Sequence, residues 1–143
     1  MQTGFNLSID TVEGNPGSSV VVPVKLSGIS KNGISTADFT VTYDATKLEY
    51  ISGDAGSIVT NPGVNFGINK ESDGKLKVLF LDYTMSTGYI STDGVFANLN
   101  FNIKSSAAIG SKAEVSISGT PTFGDSTLTP VVAKVTNGAV NLE

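Results

Sequence analysis

Apolar and polar residues alternate with a period of two through almost the whole chain, in stretches closed by Gly, Pro, Asn and Asp; this pattern predicts short β-strands and almost no helix. Phe5, Leu7 and Ile9 alternate with polar residues, Glu13-Gly14-Asn15-Pro16-Gly17 turns the chain, and Val20, Val22, Val24 and Leu26 then share one face. Pro23 cannot donate a ladder hydrogen bond, so its strand is expected at an edge or a bulge. Ala37, Phe39, Val41 and Tyr43 continue the inward series, with Thr36, Asp38, Thr40 and Thr42 pointing outward. Leu48 to Ile51 makes a short strand, and a Gly-rich connection leads to a strand in which Val64, Phe66 and Ile68 alternate with Asn65, Gly67 and Asn69. Ser72-Asp73-Gly74 predicts a tight hairpin turn into the next strand. Later, Val95, Ala97, Leu99, Phe101 and Ile103 alternate with Phe96, Asn98, Asn100 and Asn102; Val115 and Ile117 follow, and Val131 to Leu142 closes the chain around Asn137-Gly138. Eight or nine short strands at this spacing indicate an antiparallel β-sandwich, jelly-roll or immunoglobulin-like.

One strand departs from the pattern. Lys75 to Tyr83 reads Lys-Leu-Lys-Val-Leu-Phe-Leu-Asp-Tyr, so with Leu76, Val78 and Phe80 in the core, Lys77, Leu79 and Leu81 stand on the opposite face. A sheet packed on one side carries polar residues on its free side, and two outward leucines call for something to cover them. A protein partner is the expected cover.

Composition narrows the function. The 143 residues, 39% of them hydrophobic, fit a single domain spanning 1–143. Nine lysines against thirteen acids give a net charge of −4 with no basic run, which speaks against nucleic acid, and no apolar stretch is long enough to span a bilayer. The opening Met-Gln-Thr-Gly shows neither the charged nor the apolar region of a signal peptide. Cysteine is absent, which leaves the redox compartment open. Histidine is absent too, and the lack of both removes the usual general base, thiol nucleophiles and the imidazole or thiolate ligands of a zinc site, so no enzyme is expected. Asp44, Asp54, Asp73, Asp93 and Asp125 adjoin Gly, Ala or Ser and read as turn residues; no Asp-x-Asp-x-Asp-Gly calcium loop occurs. A carbohydrate-binding module is the main alternative, weakened by the lack of tryptophan. Of the four tyrosines, Tyr43 and Tyr50 suit packing, leaving Tyr83 and Tyr89 near one loop. A structural surface-layer domain without a specific ligand is a third reading.

Several motifs taken together resemble a known family over the whole chain. Gly14-Asn15-Pro16-Gly17 precedes Val20-Val21-Val22-Pro23-Val24; Ala37-Asp38-Phe39 leads to Tyr43-Asp44 and Leu48-Glu49; Leu79-Phe80-Leu81-Asp82, Asp93-Gly94-Val95-Phe96-Ala97, Phe123-Gly124-Asp125 and Asn137-Gly138-Ala139-Val140 follow. The chain resembles a type I cohesin, the receptor module of clostridial cellulosome scaffoldins. The resemblance implies a nine-stranded jelly-roll sandwich and a non-catalytic role in cellulose degradation: docking the dockerin of a cellulosomal enzyme. The calcium would be held by the dockerin, with no cofactor or metal in this chain. It also implies a secreted, extracellular setting within a larger scaffoldin and a monomer when free. Residue by residue, it places Thr36 and Asp38 as polar contacts, Gly67 and Asn69 on the neighbouring strand, Leu79 and Leu81 at the apolar centre, and Asp82 at an acidic position of the family. Leu128 is expected at the far side, Lys77 at the rim, and Tyr83 and Met85 in the adjoining loop.

Overall fold

The computed structural model describes residues 5–29, 31–82, 88–127 and 129–143. Its strands are β1 (Phe5–Ile9), β2 (Thr11–Gly14), β3 (Ser19–Ser27), β4 (Thr36–Tyr43), β5 (Leu48–Ala55), β6 (Phe66–Ser72), β7 (Lys75–Leu81), β8 (Gly94–Ile103), β9 (Lys112–Gly124), β10 (Pro130–Val131), β11 (Ala133–Thr136) and β12 (Gly138–Leu142), with one helical turn, α1 (Pro62–Asn65). They form a β-sandwich. One sheet runs β11-β1-β3-β8-β5; the other runs β2-β12-β9-β4-β7-β6, with β10 also on β9. Among the described residues, the twelve segments become nine strands once three single-residue breaks are bridged, at Asp10, Val132 and Asn137. At each break the chain changes sheet, so its first and last strands run side by side in both layers. Among the described residues these give the two parallel pairings, β1 with β11 and β2 with β12. Gly138 is required at such a crossing, because a Cβ there would lie 2.4 Å from the carbonyl oxygens of Ile9 and Asp10.

The inward series predicted from the sequence fills the space between the sheets. Leu7, Val22, Val24, Val41, Leu76, Val78, Leu99 and Phe101 are fully buried. Pro23 lies in a central strand, and β3 accommodates it locally. Its carbonyl accepts from Asp10 N at 3.1 Å, on the side where β1 leaves for the other sheet, so the missing N–H faces no partner strand. A bulge follows at once, between Val24 and Lys25.

That same bulge overturns one expectation. On β8, Ala97 pairs with Val24 and Val95 with Lys25, leaving Phe96 as the extra residue. Its ring turns inward and is fully buried, although strict alternation had put it outside. It packs against Phe39, Phe66 and Phe80 at centroid separations of 5.8, 5.5 and 6.1 Å. A second expectation also fails: Val64 and Asn65 do not open a strand. Asn61-Pro62-Gly63 starts α1 instead, with Pro62 in the first turn; Asn65 becomes buried and bonds the Thr60 carbonyl at 3.1 Å, while Val64 is 57% exposed.

The aspartates mostly serve the loops. Asp44 Oδ1 accepts from Thr46 N and Thr46 Oγ1 while Oδ2 pairs with Lys47, and Asp125 Oδ1 accepts from Thr127 N, Thr127 Oγ1 and Thr129 N. Asp93 joins distant segments by accepting from Gly28 N and Ile29 N, and Asp54 lies within β5 rather than in a turn, bonded by Asn100. The Thr46 hydroxyl first, then Lys47, holds the Asp44 carboxyl below its ordinary value; the Thr127 hydroxyl does the same for Asp125. Their folded pKa values lie below the unfolded one, so the stability they contribute is complete above the ordinary value of 3.8 and is lost as pH falls through the folded values. The thermal midpoint should therefore hold down to about pH 4 and drop below it, and Asp44→Asn with Asp125→Asn should flatten that acid limb. An unchanged limb in the double variant would contradict this assignment.

Candidate binding face

The β6-β7-β4-β9 part of the larger sheet covers the core with one face and leaves the other open. Its register sets the open side chains in rows across the strands. Leu81, Thr36 and Gly124 form the first row; Gly67, Leu79, Asp38 and Thr122 the second; Asn69, Lys77, Thr40 and Ser118 the third; Ser72, Lys75, Thr42 and Ser116 the fourth. Leu79 and Leu81 stand out from the sheet, 40% and 37% exposed, while Leu76, Val78 and Phe80 between them are buried. The alternation therefore holds in register along β7.

The surroundings keep the leucines open. A Cβ on Gly67, directly opposite Leu79, would meet nothing within 4 Å, so the absent side chain leaves Leu79 uncovered on the β6 side. Gly124 is constrained differently, since its Cβ would lie 2.8 Å from Thr36 Oγ1. Val64 joins the apolar group from α1, and with Thr36, Asp38, Gly67, Leu79 and Leu81 it borders a shallow depression of about 500 Å³. The alternation placed Val64 in the core. The available signal was the Asn61-Pro62-Gly63 turn just before it, which ends the strand pattern. Thr122 and Ser118 were also missed: β9 sets three residues, 119–121, opposite Phe39 alone, two more than regular pairing allows, and the stretch shows no clean alternation.

Beside the apolar group lies an ion pair. Lys77 reaches diagonally across one row, and its Nζ sits 2.5 Å from Asp38 Oδ1. Asn69 is exposed at the β6 edge of the same row. Asp82 does not belong to the face. Just past β7 it is fully buried; its N–H donates to the Ser35 carbonyl and its carboxylate accepts from Gly88 N at 3.0 Å. A carboxylate in that position anchors the chain on either side of the 83–87 segment and is not available to a partner. Tyr83, Met85 and Leu128 lie outside the described residues. Among the described residues, no three metal-ligating side chains gather at one point.

Comparison with known proteins agrees with this architecture. The cohesin domain family model matches residues 5–142. Cellulose-binding protein A of Clostridium cellulovorans is 42% identical over 135 residues, covering 94% of this chain; the chain spans only 7% of that relative's length. The seventh ScaB type I cohesin of Pseudobacteroides cellulosolvens superposes with a TM-score of 0.91 at 33% identity, covering 98% of this chain and 92% of that one. A cohesin from a type I cohesin–dockerin complex of Clostridium thermocellum gives 0.92 at 29% identity, covering 99% and 95%.

Proposed function

The chain belongs to the cohesin family, and from that premise we propose that its open β6-β7-β4-β9 face is the receptor surface for a type I dockerin. The module is non-catalytic. Residues 1–143 act as one docking unit within a larger extracellular scaffoldin, holding a cellulosomal enzyme to its polysaccharide. The observation that carries this reading is the pair Leu79 and Leu81, exposed with Val64 on a face otherwise lined by polar and charged side chains and glycine. An apolar centre with a polar surround is the anatomy of a protein interface. Thr36, Asp38, Gly67 and Asn69 supply polar and close-approach contacts around it, with Lys77 and Thr122 beside them. The free module is a monomer.

Calcium enters through the partner, whose loops fold around it. Calorimetric titration with calcium-loaded type I dockerins from Clostridium cellulovorans and Clostridium thermocellum should therefore give saturable 1:1 binding that a chelator abolishes. The chelator should leave this module's own melting temperature unchanged. Binding to soluble glucans or cellulose without any dockerin binding would replace this reading by a carbohydrate-binding one.

A further inference from the structure

We infer that Lys77 is a specificity-determining residue of this face that acts through Asp38, making the centre of the surface electrically neutral so that it takes uncharged donors and rejects a partner's cation. The inference rests on the docking reading above. Asp38 is the one acid in the four rows; it stands between Leu79 on β7 and Thr122 on β9, where a partner seated on the leucines covers it. Lys77 lies opposite Thr40 and reaches the carboxylate along the diagonal, a separation that a long side chain spans. The Lys77 and Asp38 side chains are 33% and 49% exposed, so the pair is half-desolvated before anything binds. The neighbouring cations do not substitute for Lys77. Lys70 is held at 2.8 Å by Asp73 at the hairpin, and Lys75 is a further row away.

In the free module such a pair contributes little, because water screens both groups. Docking changes this. Once water leaves, a carboxylate without a counter-charge is costly to bury, whereas one already paired needs no cation from the partner. One carboxylate oxygen is taken by Lys77; the other is left for a hydroxyl or amide donor. A partner lysine or arginine aimed at Asp38 would meet the Lys77 ammonium, a repulsive element of the kind that sets specificity.

A double-mutant cycle against the same calcium-loaded dockerins reads this directly. Lys77→Met should weaken binding at least about tenfold, Lys77→Arg should stay within about threefold of the parent, and Lys77→Met with Asp38→Asn should bind more tightly than Lys77→Met alone. A dockerin with lysine substituted singly at its hydroxyl-bearing surface positions should, at the position meeting Asp38, bind the parent poorly and regain affinity for Lys77→Met. Additive losses in the cycle, or a Lys77→Met variant that binds like the parent, overturn the inference. Leu79→Ser/Leu81→Ser measured alongside separates the two failures. If that variant loses binding while the cycle is additive, Lys77 alone is misassigned; if the parent module binds no dockerin, the docking reading fails and the inference with it.

Discussion

Replacing Leu79 and Leu81 together by serine should lower dockerin affinity by at least about a hundredfold while leaving the module folded. Each leucine is already more than half covered by its own sheet. Burying the remaining 40% and 37% returns only about 1–2 kcal/mol for the pair, from the value for burying a whole leucine side chain. The larger part comes from the replacement itself. Two serine hydroxyls enclosed at the centre of an interface without partners cost about 1–3 kcal/mol each, which brings the total to about 3 kcal/mol or more. Neither leucine packs between the sheets, so thermal unfolding should remain cooperative with a midpoint close to the parent's. Loss of the cooperative transition would place the leucines in the core, and full folding with parental affinity would remove them from the interface.

Phe96→Ala should cost about 3–5 kcal/mol of stability, the range for deleting a buried aromatic ring, and should be measurable by urea unfolding. Its consequence reaches the binding face. Phe96 belongs to the five-stranded sheet, but the three rings it touches come from β4, β6 and β7, the strands that carry Asp38, Gly67 and Leu79. Removing it leaves a cavity beneath those strands, so dockerin affinity should fall along with stability even though Phe96 touches no partner. A loss under about 1 kcal/mol would mean that the sheets collapse around the gap and that the face has no such support.

Regular strands were legible in the sequence because each buries one face, and burial fixes which alternate residues are apolar. The β7 pattern shows this best: its inward residues were read correctly, and the outward leucines followed from them. The failures cluster where the chain gains residues or leaves the extended conformation. Phe96 is the extra residue of a bulge, and a bulge exchanges the two faces without any change in composition. Val64 sits in a helical turn that a strand pattern cannot describe, and β9 takes two additional residues, setting three opposite one. Asp82 was placed on the face by family position, whereas its burial depends on Ser35 and Gly88, contacts that only the folded chain assembles. The Asp38–Lys77 pair was hidden for a related reason. Its members lie 39 positions apart and meet only once β4 and β7 pair in this register.

The central claim, that the β6-β7-β4-β9 face is the docking surface, is tested most directly by methyl NMR of the labelled module during titration with calcium-loaded dockerin. Leu79, Leu81 and Val64 should shift strongly and saturate at one equivalent, while Val21 and Ile51, exposed on strands of the opposite sheet, should stay in place. Shifts confined to Val21 and Ile51, with the Leu79 and Leu81 methyls unmoved at saturation, would put the partner on the other side of the sandwich and contradict the account.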